Sequence, residues 1–252
     1  MDCILRNPQM QLHEVADNIA NVTGSAFGPE TLCRALYRLG ITRKKIQRVA
    51  LQQNENLRQQ FKAEISVFSP NQLVFVDETG IDKRITRQYG YSARGTRPVV
   101  RDYSYARWAP HYSAISAISS DGLIANQLMK NPDERFNANS FIQFLNEQLL
   151  PAMNPFNGEN PRSVIVMDNH AVHHVQEVIE RVYDYGAIIR FLPPYSPDLN
   201  PIEEVFANVK HYLRQNHLVL QSLQDPSPLI WNAYGQITSN DCLGYMHHAG
   251  YI

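Results

Sequence analysis

Residues 162–170 read RSVIVMDNH, an apolar run from Val164 to Met167 that ends on Asp168. Residues 71–80, NQLVFVDETG, repeat the construction, with Leu73 to Val76 ending on Asp77. Short, continuous runs rich in β-branched residues are the pattern of strands buried on both faces. Each such strand delivers a carboxylate at its end. If the two are parallel neighbours in a central sheet, both acids emerge on the same side, where open α/β sheets place their ligands.

The segments around these two strands extend the pattern. HYSAISAISSDGLIANQLMK (111–130) predicts a hairpin turning at Ser120, Asp121 and Gly122, and NANSFIQFLNEQLLPAM (137–153) predicts a helix. HVQEVIERVYDYG (174–186) places Val175, Val178 and Val182 at helical spacing with Gly186 as the stop, and AIIRFLPP (187–194) follows as a strand. The order is strand, hairpin, helix, strand, helix, strand, helix: an α/β fold with a mixed sheet and helices packed on it.

LPPYSPDLNPIEEVF (192–206) then brings a proline-rich approach to two adjacent acids. Asn200 suits an N-cap, Pro201 the first helical position, and Glu203 the third, which is the arrangement of a capping box. Ile202, Val205, Phe206, Val209, Tyr212 and Leu213 form one face of the helix that follows; Glu203 borders that face and Glu204 lies nearly opposite. The prolines restrict the loop and hold the helix start in place. Asp77, Asp168 and Glu203 crowded together would repel one another, and a divalent cation resolves the conflict. Carboxylates suit magnesium or manganese, and two such ions roughly 4 Å apart can activate an attacking oxygen and stabilise a leaving one in phosphodiester chemistry.

FVDETG, VIVMDNHAVHH and LPPYSPDLNPIEEVF resemble the three signature segments of the mariner-type DDE transposases and their insertion-sequence relatives. The 34 residues between Asp168 and Glu203 match the gap of one branch of that family, and the resemblance covers about residues 70–215. It implies an RNase H-like catalytic domain in which Asp77, Asp168 and Glu203 hold two Mg2+ or Mn2+ ions, Asp77 touching both. It further implies that water activated at the metals cuts the element's end, and that the freed 3′ hydroxyl attacks target DNA, usually at a TA step. Two ends must be brought together, so a homodimer on double-stranded DNA is expected. Glu78 and Glu204 are read as neighbours without a role.

With 252 residues, 44% of them hydrophobic, the chain can bury a sizeable core. Cys3, Cys33 and Cys242 are too few and too scattered for a disulfide framework or a thiolate metal site. No apolar run reaches the roughly 18 to 20 residues a membrane span needs. An unsecreted protein is expected, nuclear in a eukaryote and in the cytoplasm or nucleoid of a bacterium. The net charge of −1 hides an asymmetry: residues 1–62 hold nine Lys or Arg against five acids, and the remainder hold 14 against 19.

The basic front contains two helical patterns around a Gly-containing turn. The second, PETLCRALYRLG (29–40), has Pro29 at its start, Gly40 at its end and Leu32, Leu36 and Leu39 on one face. It reads as a helix-turn-helix whose Arg34, Arg38, Arg43, Lys44 and Lys45 contact DNA phosphates, or as a plain helical hairpin with a solvated basic face. The domains expected are a helix-turn-helix unit over 1–50, a helical linker over 51–69, the catalytic domain over 70–218 and a helical extension over 219–252. Relatives generally carry two helix-turn-helix units and this chain has room for one, which points to a truncated copy or to a different mode of DNA binding.

His170 and His174 are four apart but lack the intervening Glu of a zinc helix, and Trp108 with the tyrosines of RDYSYARWAPHY could stack on bases, although aromatic residues near a hairpin more often pack a core or an interface. Two rival readings remain: a catalytically silent, domesticated DNA-binding protein, and an RNase H-like nuclease acting on RNA–DNA hybrids.

Overall fold

The computed structural model describes residues 2–44, 46, 52–87, 89–99, 111–131, 136–170, 173 and 175–252. Lys45, Trp108 and His174 lie outside that set, so the readings that rest on them do too. Two compact units are present, Met1–Leu51 and Gln52–Ile252. Among the described residues no helix is long and apolar enough to cross a membrane.

The first unit holds helices α1 (Asp2–Arg6), α2 (Leu12–Thr23) and α3 (Pro29–Arg38). Pro29 opens α3, where its missing N–H costs nothing. Gly40, in the left-handed region at φ 74°, closes it: the Ile41 N–H reaches the Leu36 carbonyl at 2.9 Å. Val15 and Leu32 are buried here, but Leu39 is 56% exposed. The chain leaves the helix at Leu39, so the side chain departs from the face shared by Leu32 and Leu36.

The second unit runs α4 (Glu55–Ile65), β1 (Leu73–Asp82), β2 (His111–Ser119), β3 (Gly122–Asn131), α5 (Ala138–Phe144), β4 (Val164–Met167), α6 (Gln176–Tyr185), β5 (Ile188–Phe191), α7 (Ile202–Gln215), α8 (His217–Ser222), α9 (Ser227–Tyr234) and α10 (Ser239–His248). The five strands form one sheet in the order β3-β2-β1-β4-β5. β1 pairs antiparallel with β2 and parallel with β4, and β4 is parallel to β5, giving the expected mixed sheet. The helix read over 137–153 is α-helical only to Phe144, then passes through a π turn and a short 3-10 turn. Pro151 has no N–H for the Glu147 carbonyl, which removes one α-helical bond there.

Strand alternation divides the core into two layers. Leu73 and Phe75 of β1 and Val164 and Val166 of β4 pack with residues of α4, α7, α9 and α10. Val74, Val76, Ile165 and Met167 pack on the other face with residues of α5 and α6. All eight are 0–1% exposed, which explains why the two runs are continuously apolar.

This packing alters two expected domain boundaries. Residues 51–69 read as a polar linker, yet α4 buries Arg58, Phe61 and Ile65, and the last two belong to the core. Residues 219–252 read as an extension, yet Leu220, Ile230, Ala233, Tyr234, Cys242 and Met246 complete the same layer. Both segments are therefore integral to the second unit. Phe75 lies at the centre of that layer, its ring centroid 4.7 Å from that of Tyr251. Phe75→Ala should destabilise this unit by about 3–5 kcal/mol, read as a lowered urea midpoint at unchanged slope.

Candidate active site

Val76 pairs with Met167 at the end of the parallel ladder, so Asp77 and Asp168 follow at the same level on neighbouring strands. By alternation both carry the parity of Phe75 and Val166 and fall on the α7 side of the sheet, while Glu78 falls on the α5 and α6 side. Glu203 is the second residue of α7. Asp77, Asp168 and Glu203 all line one open cleft of about 440 Å³, walled opposite by Pro193, Pro194 and Tyr195. The three expected acids are brought together.

Their environments differ. Asp77 is 8% exposed; its Oδ1 accepts the Glu78 N–H at 2.7 Å and its Oδ2 accepts from Asn200 Nδ2 at 2.7 Å. Burial first, then the charge of Glu78, with smaller contributions from Asp168 and Glu203, pushes its pKa up to about 8 against the opposing pull of the Glu78 N–H. Burial also works to raise Asp168. The His173 ring, the His170 N–H and the charges of both imidazoles outweigh burial and hold Asp168 below the usual carboxylate range. Glu203 is raised by burial, with Lys210 opposing and Asp168 reinforcing.

The helix start departs from the capping box. α7 begins at Ile202, Pro201 holds the cap position, and no side chain caps it. Asn200 instead turns its amide to Asp77 Oδ2, which has no other donor among the described residues, and the first N–H groups of the helix reach back to the Asn200 and Pro201 carbonyls. Glu203 therefore faces the cleft instead of folding back on its own helix. Glu204 is turned away and pairs with His248 Nδ1 of α10 at 2.6 Å.

Tertiary contacts also brace the proline loop. Arg58 of α4 makes a two-pronged pair with Asp198, Nη1 to Oδ1 at 2.9 Å and Nη2 to Oδ2 at 2.7 Å. Gln53 donates to the Tyr195 carbonyl at 3.1 Å, and the Tyr251 hydroxyl donates to the Leu199 carbonyl at 2.6 Å.

Sequence reasoning missed His173. The zinc reading looked to His170 and His174, but the histidine that is wholly buried is the one between them in the motif, in contact with both Asp168 and Glu78. Burial opposes its charge, yet the two carboxylates raise its pKa to about 10. Its only signal in the sequence was its place five residues after Asp168. The proposed phosphate-binding residues Arg34, Arg38, Arg43 and Lys44 are exposed in the first unit.

Residues 72–224 match the family model described as DDE superfamily endonuclease. The chain belongs to that family. Its fold is similar to that in "Mos1 transposase paired-end complex with left transposon end", with 17% identity, 99% of this chain and 77% of that one covered, and a TM-score of 0.65. It is also similar to "Crystal structure of the Mos1 mariner paired end complex with Mn", with 15% identity, 98% and 73% covered, and a TM-score of 0.74. No curated protein matches. The DDE chain thus has the RNase H-like mixed sheet flanked by helices, preceded by helical elements.

Two aspartates and a glutamate are hard oxygen donors of the kind that hold Mg2+ or Mn2+. Among the described residues, no three His, Cys, Asp or Glu are disposed as they stand to hold a metal ion. The donors fit a divalent cation in chemistry and line one cleft, while Asp77 Oδ1 and Oδ2 and Asp168 Oδ1 are engaged by protein donors.

The charge pattern has a consequence for stability. Asp77 is an acid whose folded pKa is raised from 3.8 to about 8, so the folded state holds the proton more tightly and stability falls as pH rises through that window. His173 acts in the same direction, its contribution being complete below 6.5 and lost as pH rises through about 10. In metal-free buffer the melting temperature should therefore fall between pH 6 and pH 9. Asp77→Asn should flatten that fall, measured by thermal unfolding across the pH series.

Proposed function

We propose that this DDE chain is a mariner-type transposase: a metal-dependent DNA endonuclease and strand transferase that cuts phosphodiesters at transposon ends and joins the freed 3′ hydroxyl to target DNA. The observation that carries this reading is the convergence of Asp77, Asp168 and Glu203, from two strand ends and a helix start, on one open cleft. Asp77 in particular is buried among like charges that a cation would neutralise.

Asp77, Asp168 and Glu203 would hold two Mg2+ or Mn2+ ions, which when bound supply charge neutralisation and orient the attacking and leaving oxygens. The chain's own residues do the positioning. Asn200 and the Glu78 N–H hold Asp77, the braced loop sets the start of α7, and the cleft admits a phosphodiester from solvent. Catalysis on this reading is positioning and electrostatics, with no covalent enzyme intermediate.

The DNA partner is assigned to the basic front, through Arg34, Arg38, Arg43, Lys44 and Lys45. The Mos1 structures of similar fold are paired-end and strand-transfer complexes. By analogy, two copies of this chain would hold two transposon ends at their inverted repeats and join them to a TA target.

The decisive experiment is a Mn2+ titration followed by electron paramagnetic resonance, with and without duplex DNA, beside a cleavage assay. Saturable binding in the wild type should be weakened by Asp77→Asn and by Asp168→Asn, and Asp168→Asn should abolish cleavage while leaving the fold and DNA binding intact. Cleavage surviving in Asp168→Asn would refute the assignment of Asp168, whereas metal binding that is absent from the wild type or indifferent to both substitutions would favour the silent DNA-binding scaffold. Separately, replacing the five basic residues with Ala should weaken DNA binding and reduce the slope of log affinity against log salt by about 0.9 per lost phosphate contact; an unchanged slope returns that unit to a plain helical hairpin.

A further inference from the structure

We propose that His173 is the positioning residue of this site: it orients the Asp168 carboxylate and is itself held from behind by Glu78. The proposal rests on the reading of Asp168 as a metal-holding residue.

The geometry is specific. His173 is 0% exposed, and its Nδ1 lies 2.8 Å from Asp168 Oδ1 and 3.2 Å from the Asp168 carbonyl oxygen. Both are acceptors, so Nδ1 carries the proton and donates. The His170 N–H donates to the same Oδ1 at 3.0 Å, so that oxygen is committed to the protein and Oδ2 is left for the cleft that Asp168 lines. On the far side of the ring, Nε2 lies at ion-pair distance, 3.4 Å, from Glu78 Oε2, without hydrogen-bond geometry. The ring packs against Phe141 with centroids 4.7 Å apart, and Phe136 closes a second side at 6.4 Å.

An apolar side chain could fill this space beside Phe141 without desolvating two ring nitrogens. The imidazole instead contacts two carboxylates, one at the end of β4 and the other next to Asp77 on β1. Neither His173 nor Glu78 lines the cleft, so neither is placed to touch substrate. Glu78 reaches the ring because strand alternation sends it to the face opposite Asp77. Adjacent residues of β1 thus serve the site from both sides of the sheet, Asp77 directly and Glu78 through His173. Partners of this kind fix the direction of a ligating side chain, and their loss typically lowers metal affinity by about 10-fold to 100-fold.

The two ring nitrogens can be tested apart. In His173→Asn the amide nitrogen stands near the Nδ1 position and can still donate to Asp168, whereas in His173→Gln it stands near Nε2 and serves only Glu78. The full chain would be titrated with Mn2+ by electron paramagnetic resonance, with thermal unfolding recorded for every variant. His173→Asn should lose less affinity than His173→Gln and His173→Ala, which should lose about 10-fold to 100-fold, whatever the order of their melting temperatures. A merely structural histidine would make affinity follow stability without regard to which nitrogen is mimicked.

Equal affinities for the Asn and Gln variants would overturn the proposal. If substitutions at the buried ring prevent folding, Glu78→Ala decides, since Glu78 is partly exposed: weaker Mn2+ binding with the fold intact supports the proposal, and unchanged binding overturns it. A wild type that binds no Mn2+ even with DNA present would overturn this inference and the proposed function together. A wild type that binds metal with no dependence on His173 or Glu78 would overturn this one alone.

Discussion

The parallel pairing of β1 with β4 is the constraint on which the site depends. It places Val76 opposite Met167, and with them Asp77 and Asp168 at one level on one side of the sheet. β4 is only four residues long, and all four are 0% exposed. Burial of such side chains is worth about 1.5–3 kcal/mol each. That is enough to hold the strand ends where two carboxylates must share a space that disfavours the charge of Asp77. The sheet core thus offsets the electrostatic cost of burying Asp77 beside Glu78, Asp168 and Glu203.

The third acid reaches the cleft by a different route. Glu203 stands at the start of a helix, and its position depends on a loop tied down by residues remote in the chain: Arg58 and Gln53 before β1, and Tyr251 at the far end. Asn200 then links this loop to Asp77 across the cleft. Such ties lower the entropy that would be lost in assembling the three acids around a ligand. They also explain why α4 and the C-terminal helices pack into the same layer as α7 and do not stand apart from it.

The carboxylates are supported unequally. Asp77 is held by a backbone N–H and an amide and is destabilised as an anion, whereas Asp168 is held by an imidazole charged between two acids and is stabilised as one. Two aspartates on adjacent strands, similar in local sequence, therefore differ in proton affinity because their second neighbours differ. Glu203, which also lines the cleft, is raised mainly by burial.

Much of this was legible without coordinates. Unbroken apolar runs ending on Asp77 and Asp168 follow from burial on both faces, and the hairpin turn, Pro29, Gly40 and Gly186 follow from backbone conformations only some residues adopt easily. The motif spacing singled out Glu203. These are properties of neighbours along the chain, written in periodicity and residue type. What only the tertiary structure decided are pairings between distant residues: Asn200 with Asp77, 123 positions apart, Arg58 with Asp198, 140 apart, and His173 with Glu78. A polar side chain carries no mark of its partner. Asn200 looked like a helix cap and residues 51–69 like a linker because local rules alone could be applied to them, and burial beside a distant carboxylate or core residue overrode those rules.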